Sequence, residues 1–517
     1  MAGPLFRPGG FARRAASRPD PPPALAPLPP AATARLNDPA GAGGLVRADA
    51  AGEAGGAACG DLVRIELAID DGRVAAAGFR VSGCPAATAA AAAVREAVRG
   101  RTIDEAMALS PDEVDAMLGG LGSAHRHGCD LAVEALAAAL EAWCSKRLGA
   151  AGPPPHPDRV AVAMSGGVDS AVAALLLRRA GLDVVGVTMR LWHDPASAPA
   201  ERSCCAPDTV RLARASAHAI GIPHVSLDVA ERFRRVVVEG FVAGYAEGRT
   251  PNPCVTCNGE ARFAILADAA ALLGAGSLAS GHYARVERAG AGALLGRGRD
   301  PAKDQSYMLA RLPAEVLERL MLPLGELTKD EVRALAREAG LPAADAVESQ
   351  EVCFVGRGGY AGFLEGTGGL SPRPGPILDE EGRVVGEHAG HWRFTVGQRR
   401  GLGGGPGPAR YVTAVDPARN AVVVGPPESL AVRAIHVEDA VLHAPLGDGP
   451  LEVRVRYRGR AAAGLAHPDG PGRLRVDLLE PARAVAPGQT AVLYRDDVLV
   501  AAGTIAGSRG ASEAEEA

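Results

Sequence analysis

Val160-Ala161-Val162-Ala163-Met164-Ser165-Gly166-Gly167-Val168-Asp169-Ser170 decides the fold. Val160–Met164 is a short apolar run of the kind that forms a buried strand. A Ser-Gly-Gly turn follows, and a helix is expected over 169–180, closed by Gly181. Paired glycines let a backbone approach an anion without a Cβ clash. The helix behind them aims free N–H groups and its positive dipole end at the same point. Strand, loop and helix together predict a phosphate cradle. The loop lacks the Gly-Lys-Ser/Thr ending of a Walker A motif, which disfavours a generic kinase or GTPase.

Outward from this loop the alternation continues. Strands are expected over 183–191, 224–229 and 277–283, and helices over 207–220, 231–246 and 259–273. Strands alternating with helices predict an α/β doubly wound parallel sheet, placed at 159–353. Downstream, Gly- and Pro-punctuated β segments at 383–386, 411–415, 421–425, 451–457, 473–478 and 490–503 predict a small β-rich connector (354–428) and a C-terminal β-barrel (429–507). Residues 508–517 are an acidic tail. Upstream, 1–33 is a Pro- and Ala-rich leader of the kind that stays disordered. Residues 148–158 read as a linker. Between them, 34–147 carries alternating segments at 61–69 and 73–82 around Asp70-Asp71-Gly72, a hairpin signal. Helices follow near 84–99, 110–119 and 128–145, the second opening on the capping box Ser110-Pro111-Asp112-Glu113. This first unit is therefore α+β, and the chain is multidomain.

Composition narrows the setting. The 517 residues are 47% apolar and 22% charged with net charge −5, which argues against a wholly basic nucleic-acid protein while leaving room for a local basic face. Only Lys146, Lys303 and Lys329 are lysines among 55 basic residues, so a lysine here is informative. The nine cysteines are odd in number, widely spaced and too few for a disulfide scaffold of this length. They suit metal-binding or catalytic roles in a reducing cytoplasm. No apolar run reaches the length of a membrane span, so no membrane partner is expected.

Several later segments choose among adenylating enzymes: Gly186–Trp192, Cys204-Cys205, Gly248-Arg249-Thr250-Pro251-Asn252-Pro253-Cys254-Val255-Thr256-Cys257-Asn258, Ser280-Gly281-His282-Tyr283, Lys303-Asp304-Gln305-Ser306-Tyr307, Glu348–Phe354, Phe394–Leu402 and Val455–Arg458. The Ser165–Ser170 loop resembles the PP-loop of the ATP pyrophosphatases. Together the motifs resemble the tRNA-specific 2-thiouridylase family (MnmA type) over about 160–505. The resemblance implies that ATP binds Ala163, Met164, Ser165, Gly166, Gly167, Val168, Asp169 and Ser170, with Met189 and Gly281 at the adenosine, and that Mg2+ accompanies it. It implies adenylation of the C2 oxygen of a wobble uridine, replacement by persulfide sulfur, and release of AMP and pyrophosphate. Cys257 matches the nucleophile and Cys353 the persulfide carrier, and the two can form a disulfide as sulfur leaves. Asn252, Pro253 and Cys254 match contacts to the target base. His282, Lys303, Asp304, Gln305, Arg456, Tyr457 and Gln489 match tRNA contacts.

The chemistry fits these residue types. Adenylation makes a carbonyl oxygen a leaving group, and thiolate or persulfide sulfur is a strong nucleophile at neutral pH. Cys257, in a Pro-rich loop before a helix N-terminus, is placed where thiolate is favoured. The base must leave its stack to reach the site. Arg454, Arg456, Arg458 and Arg460 alternate on an expected strand and share one face, with Tyr457 on the other unless a bend re-aims it. Arg393, Arg399, Arg400 and Arg410 form a second basic cluster suited to phosphates. Many family members have Asp at Cys254. Cys254, Cys257 and Cys353 could therefore hold a [4Fe–4S] cluster, an alternative weighed below the persulfide route.

Residues 34–145 resemble a second family, the NifU/IscU-type iron–sulfur scaffolds, on Leu36–Pro39, Ala58-Cys59-Gly60-Asp61, Gly78–Cys84 and Cys129. The resemblance implies ligands Cys59, Asp61, Cys84 and Cys129 for an Fe–S cluster, or sulfur received from a cysteine desulfurase or relay protein. Gly128 stands where many scaffolds have His, with His127 one place off, which leaves the fourth ligand open. Two rivals remain at this point: a PP-loop synthetase acting on a small molecule, which needs neither Cys257 nor Cys353, and a sulfur or cluster carrier whose loop binds no ATP.

Overall fold

The computed structural model describes residues 27–37, 42–55, 60–194, 207–289, 292–346, 352–355, 358–402 and 409–510. The expected segments around Cys59, Cys204, Cys205 and Glu348–Glu351 lie outside these, as do the leader to residue 26 and the last seven residues.

The first unit is an antiparallel meander of β1 (Ala50–Gly55), β2 (Leu62–Asp70) and β3 (Arg73–Ser82) with helices against one face. The expected hairpin turn is present: Asp71 (φ 45°) and Gly72 (φ 69°) both take positive φ, the backbone of a two-residue type I′ turn. The expected helices span Pro85–Val98, Pro111–Met117 and His127–Arg147, and Ser110 and Glu113 close the capping box.

The second unit is a five-stranded parallel sheet built on β4 (His156–Ala163), β5 (Asp183–Arg190), β6 (His224–Asp228) and β7 (Ala275–Ser280). A hairpin of β8 (Ala284–Ala289) and β9 (Gly292–Arg297) and the short β10 (Leu320–Met321) follow. The sheet order is β10-β7-β4-β5-β6. The chain thus moves one way from β4 through β5 to β6 and then crosses to the other side at β7. That reversal makes the crevice between β4 and β7 the ligand site of a doubly wound sheet.

The connector is a four-stranded sheet of β11 (Gly375–Leu378), β12 (Val384–His388), β13 (Tyr411–Asp416) and β14 (Ala421–Gly425). Six strands then close a barrel: β15 (Ala431–Leu442), β16 (Leu451–Arg454), β17 (Ala462–Pro468), β18 (Leu474–Arg483), β19 (Thr490–Arg495) and β20 (Val498–Gly510). Closure comes from β15 pairing with both β18 and β20. Ile435, Val453, Val476, Leu493, Val500 and Ile505 fill its interior.

Several elements differ from the sequence reading: the segment expected at 490–503 is the strand pair β19 and β20, and β1, β11, β15 and β17 join the expected strands. The strand expected over 451–457 ends at Arg454, and Arg456 to Arg460 lie in a turn and bend. The helix expected from 259 begins at Pro253 and runs to Leu272, with a π-helical stretch over Cys257–Arg262. Proline breaks helix interiors but is favoured at the first helical position, where its missing N–H costs nothing. Asn252 supplies the cap, its Oδ1 accepting from Val255 N at 3.3 Å. Cys257 therefore sits in the second turn of a helix and not in a loop ahead of one.

Candidate functional site

The nucleotide loop is held by its own side chains. Ser170 Oγ accepts from Ser165 N at 3.1 Å and donates to Gly167 O at 3.0 Å. Gly166 takes φ +76°, and a Cβ there would stand 2.3 Å from Thr209 O. Gly281, just past β7, closes the crevice from the other side: a Cβ on it would meet Asp169 C and Ser170 N at 2.7 Å. Both glycines are thus required by close approach. Ala163 and Met164 end β4 side by side, and Met189, buried, lies near the end of β5 on the same rim. Val168 and Asp169 open the helix Val168–Arg179, whose first N–H groups face the loop. The Asp169 carboxylate accepts from Tyr283 Oη at 2.7 Å and from Lys329 Nζ at 2.7 Å on each oxygen.

The thiols lie beside this crevice. Cys257 is buried and Cys254 half-buried on the Pro253–Leu272 helix. Burial, with Cys257 second, pushes the Cys254 thiol up, while Arg262 opposes the shift. Arg262 also faces His282, whose ring burial and that positive charge push down to about 3. His282 is therefore a neutral ring, with Nδ1 2.9 Å from Ser280 Oγ. Cys353 is half-buried, on a short segment anchored by Phe354, whose ring packs on Phe233, Phe241 and Phe363. Among the described residues, Cys254, Cys257 and Cys353 do not gather into a metal-ligating group.

The residues matched to tRNA contacts converge where the three later units meet. Gln489 Nε2 donates to Thr250 O at 2.9 Å, and Thr250 N donates to Pro487 O at 2.8 Å. Barrel residues thus fasten the strip that carries Asn252, Pro253 and Cys254. Tyr307, buried on the barrel side, donates to Thr490 O at 2.8 Å. Tyr457 donates to Asp304 O at 3.0 Å, and Arg456 donates to Val396 O at 2.9 Å. Asp304 accepts at Oδ1 from Gly298 N and Ser306 N, both at 3.1 Å, and Gln305 Oε1 accepts from Tyr283 N at 3.0 Å. The Asp304 and Gln305 side chains therefore shape their own loop. Lys303 is half-buried at its start. The shared arginine face is corrected by the turn after Arg454: Arg454 pairs with Glu452 at 2.8 Å, Arg456 is half-buried, and Arg458 and Arg460 are exposed. Arg393 pairs with Glu365, whereas Arg399, Arg400 and Arg410 are exposed.

In the first unit, Asp61, Cys84 and His127 meet, each offering one ligand atom with all three atoms within 4.8 Å of one another. Asp61 Oδ2 lies 2.9 Å from His127 Nε2, and Asp61 Oδ1 accepts from Cys84 N at 2.8 Å. Cys84 caps the helix Pro85–Val98, its Sγ accepting from Ala87 N at 3.4 Å. The donor set suits a metal ion or cluster iron. Cys129, matched as a ligand by the resemblance, is fully buried, and burial is the main cause that pushes its thiol up to about 12. The one-residue displacement of the histidine has a steric reason. A Cβ on Gly128 would stand 2.9 Å from Ala86 C and Ala87 N, so a side chain at 128 would require the backbone at Ala86–Ala87 to shift. His127, Lys329, Tyr283 and Arg262 are the site residues that pattern reading did not assign; the scarcity of lysine was the one signal pointing to Lys329.

Comparison with known proteins agrees with this architecture. Family models match in series: a NifU-like N terminal domain at 31–150, a tRNA methyl transferase HUP domain at 158–357, a tRNA methyl transferase PRC-barrel domain at 362–426 and an aminomethyltransferase beta-barrel domain at 432–505. A protein of Rubrobacter xylanophilus named bifunctional protein NifU/MnmA is 44% identical over 486 residues, 92% of this chain and 98% of that one. The tRNA-specific 2-thiouridylase MnmA of Moorella thermoacetica is 45% identical over 350 residues, 66% of this chain and 98% of that one. That of Acidithiobacillus ferrooxidans is 46% identical over 351 residues, 67% of this chain and 98% of that one. From the nucleotide loop to the barrel the chain therefore belongs to the MnmA family, in the form that carries a NifU-like domain ahead of it.

Proposed function

We propose that this protein is an ATP-dependent tRNA 2-thiouridylase working in a reducing cytoplasm, with a sulfur- or iron-handling domain built in. One observation carries the reading. The strip Ser280–Tyr283 sets Gly281 against the nucleotide loop and His282 against Phe263 of the helix that carries Cys254 and Cys257, ring centroids 6.0 Å apart. Phosphate cradle and thiol helix are thereby within a side chain of each other, the juxtaposition that adenylation followed by sulfur transfer needs.

ATP enters as its Mg2+ complex, with Ser165–Ser170 around the phosphates and Met189 and Gly281 at the adenosine. A wobble uridine, extruded from its stack, lies against Asn252, Pro253 and Cys254, while His282, Lys303, Arg456, Tyr457 and Gln489 hold the surrounding tRNA. The neutral His282 ring can accept or donate a hydrogen bond without adding charge. The C2 oxygen attacks the α-phosphorus and pyrophosphate leaves. The outer sulfur of a Cys353 persulfide then attacks C2 and displaces AMP. Cys257 takes the inner sulfur, leaving 2-thiouridine and a Cys257–Cys353 disulfide that an external thiol reduces.

In the first unit, Asp61, Cys84 and His127 would hold the metal, which would supply iron–sulfur or sulfur-carrying chemistry. A cysteine desulfurase or relay protein is the partner that fills Cys353 or this domain with sulfur. The test is incubation with ATP, a sulfur source and unmodified tRNA, reading 2-thiouridine and AMP by mass spectrometry. Cys257→Ser should abolish 2-thiouridine while sparing ATP binding; thiolation that persists in this variant overturns the mechanism.

A further inference from the structure

Arginine is the default cation of this chain, and only three of its 55 basic residues are lysines. One of the three, Lys329, is aimed at the nucleotide loop from 160 residues downstream. Its side chain is only 9% exposed. Its backbone is fixed: Lys329 opens the helix Lys329–Glu338, Thr328 and Glu331 form a capping box, and Lys329 N donates to Asp300 Oδ2 at 3.1 Å. From this platform Nζ passes Tyr283, 5.8 Å from the ring centroid, and bridges both oxygens of Asp169 at 2.7 Å.

Asp169 stands in the first turn of the helix that forms the phosphate cradle. An acid suits a helix N-terminus, but it has the same sign as the polyphosphate that the cradle is shaped to receive. A carboxylate and a polyphosphate crowded at one helix end repel unless a cation lies between them. Lys329 supplies that cation at the mouth of the loop. A compact ammonium on a flexible stem can pass between neighbouring acceptors, whereas a guanidinium fork is matched to one planar partner. A lysine retained in an arginine-rich chain fits that requirement.

We propose that Lys329 is the polyphosphate-binding cation of this site. Without ATP its ammonium rests on Asp169. With ATP bound it turns to the β- and γ-phosphate oxygens and stays with pyrophosphate as it departs. In that step the substrate oxygen's electron pair forms the bond to the α-phosphorus, and the bond from that phosphorus to the bridging oxygen breaks with its pair leaving on pyrophosphate. The inference rests on the adenylation reading above, but its test uses ATP alone as well as tRNA.

The experiment titrates ATP and adenosine into full-length wild type, Lys329→Met, Lys329→Arg and the double variant Asp169→Asn/Lys329→Met, and measures pyrophosphate release with tRNA. Lys329→Met should weaken ATP binding at least tenfold with adenosine unchanged, and slow pyrophosphate release on the order of a hundredfold, the usual cost of losing one charge-stabilising group. Lys329→Arg should restore part of the ATP affinity. The double variant removes both charges and so restores folding if the single one is unstable, yet should still bind ATP weakly. Wild-type ATP affinity in the double variant, or equal loss of ATP and adenosine in a folded Lys329→Met, overturns the proposal and leaves the pair a structural strut. A wild type that binds ATP through Lys329 but makes no 2-thiouridine would instead count against the thiolation reading alone.

Discussion

Cys254 and Cys257 stand one helical turn apart, and the structure separates their surroundings. Burial first, and the neighbouring Cys257 second, raise the Cys254 thiol above its ordinary 9.0, against the pull of Arg262. A raised thiol pKa keeps the protonated form through neutrality, and thiolate appears only as pH climbs past the ordinary value. Cys254 in the Cys257→Ser background should therefore alkylate slowly with iodoacetamide at pH 7.5 and accelerate steadily above pH 9. Peptide mass spectrometry reads the rate, and full-rate labelling at neutral pH would contradict the assignment. This scale also shows what a linear reading reaches. Cys257, Cys353 and His282 were visible because each sits in a dense local motif. Lys329 and His127 were not, because their meaning lies in partners far along the chain. His127 joins Asp61 and Cys84 beside Gly128, which packs close against the helix Pro85–Val98.

At the scale of elements, the parallel sheet and the loop–helix unit after β4 follow from apolar period and glycine placement. Two boundaries did not, and both involve chemistry that pattern alone leaves ambiguous. Asn252-Pro253 reads equally as a turn or as an N-cap followed by proline at the first helical position. Packing of Val255, Cys257 and Ala261 into the core resolves it toward helix. Arg454–Arg460 alternates as a strand would, but Tyr457 and Arg456 are drawn to Asp304 and Val396, and the chain turns to reach them. The junction between β7 and the nucleotide helix is the tightest functional contact, and it predicts a clean lesion. Gly281→Ala would place a Cβ 2.7 Å from Asp169 C and Ser170 N, both main chain. Overpacking of this kind costs about 1–3 kcal/mol, and here the strain falls on the loop. ATP affinity should drop about five- to 150-fold by that figure, with the circular dichroism spectrum unchanged. Normal ATP titration of Gly281→Ala would show that the loop yields and that Gly281 is no floor to the site.

At the scale of the whole molecule, the NifU-like unit is docked on the parallel sheet through the long helix His127–Arg147. Glu134 pairs with Arg211 at 2.9 Å, Glu141 accepts from Ser226 Oγ at 2.6 Å and pairs with Arg190, and Ser145 Oγ accepts from Asp228 N at 3.1 Å. Around these, Val133, Leu136 and Leu140 face Arg214, His218 and the buried His224, and one apolar core runs through both units. Composition marks 148–158 as a linker, and composition cannot report what a helix face covers. The connecting strip is itself seated: a Cβ on Gly152 would stand 2.2 Å from Ala271 O. Large apolar interfaces hold domains in fixed relation, whereas small polar ones let them move. A protease site inserted at 149–151 and cleaved should therefore leave the two halves co-eluting in size exclusion, in 1 M NaCl as well as 0.15 M, since salt screens ion pairs and leaves apolar burial intact. Glu141 sets the pH response. Burial raises its carboxyl above the ordinary 4.5, with Ser226 and Arg190 opposing, so the docked form binds the proton more tightly than the separated one. Docking is thus strongest below the ordinary carboxyl range, weakens as pH rises through the raised value, and is flat above it. Glu141→Lys, which sets a buried cation against Arg190 and Arg214, should separate the cleaved halves, because an uncompensated buried charge costs about 3–5 kcal/mol. Halves that part on cleavage without any substitution would reduce 148–158 to a tether and remove the fixed geometry from the relation between the two sites.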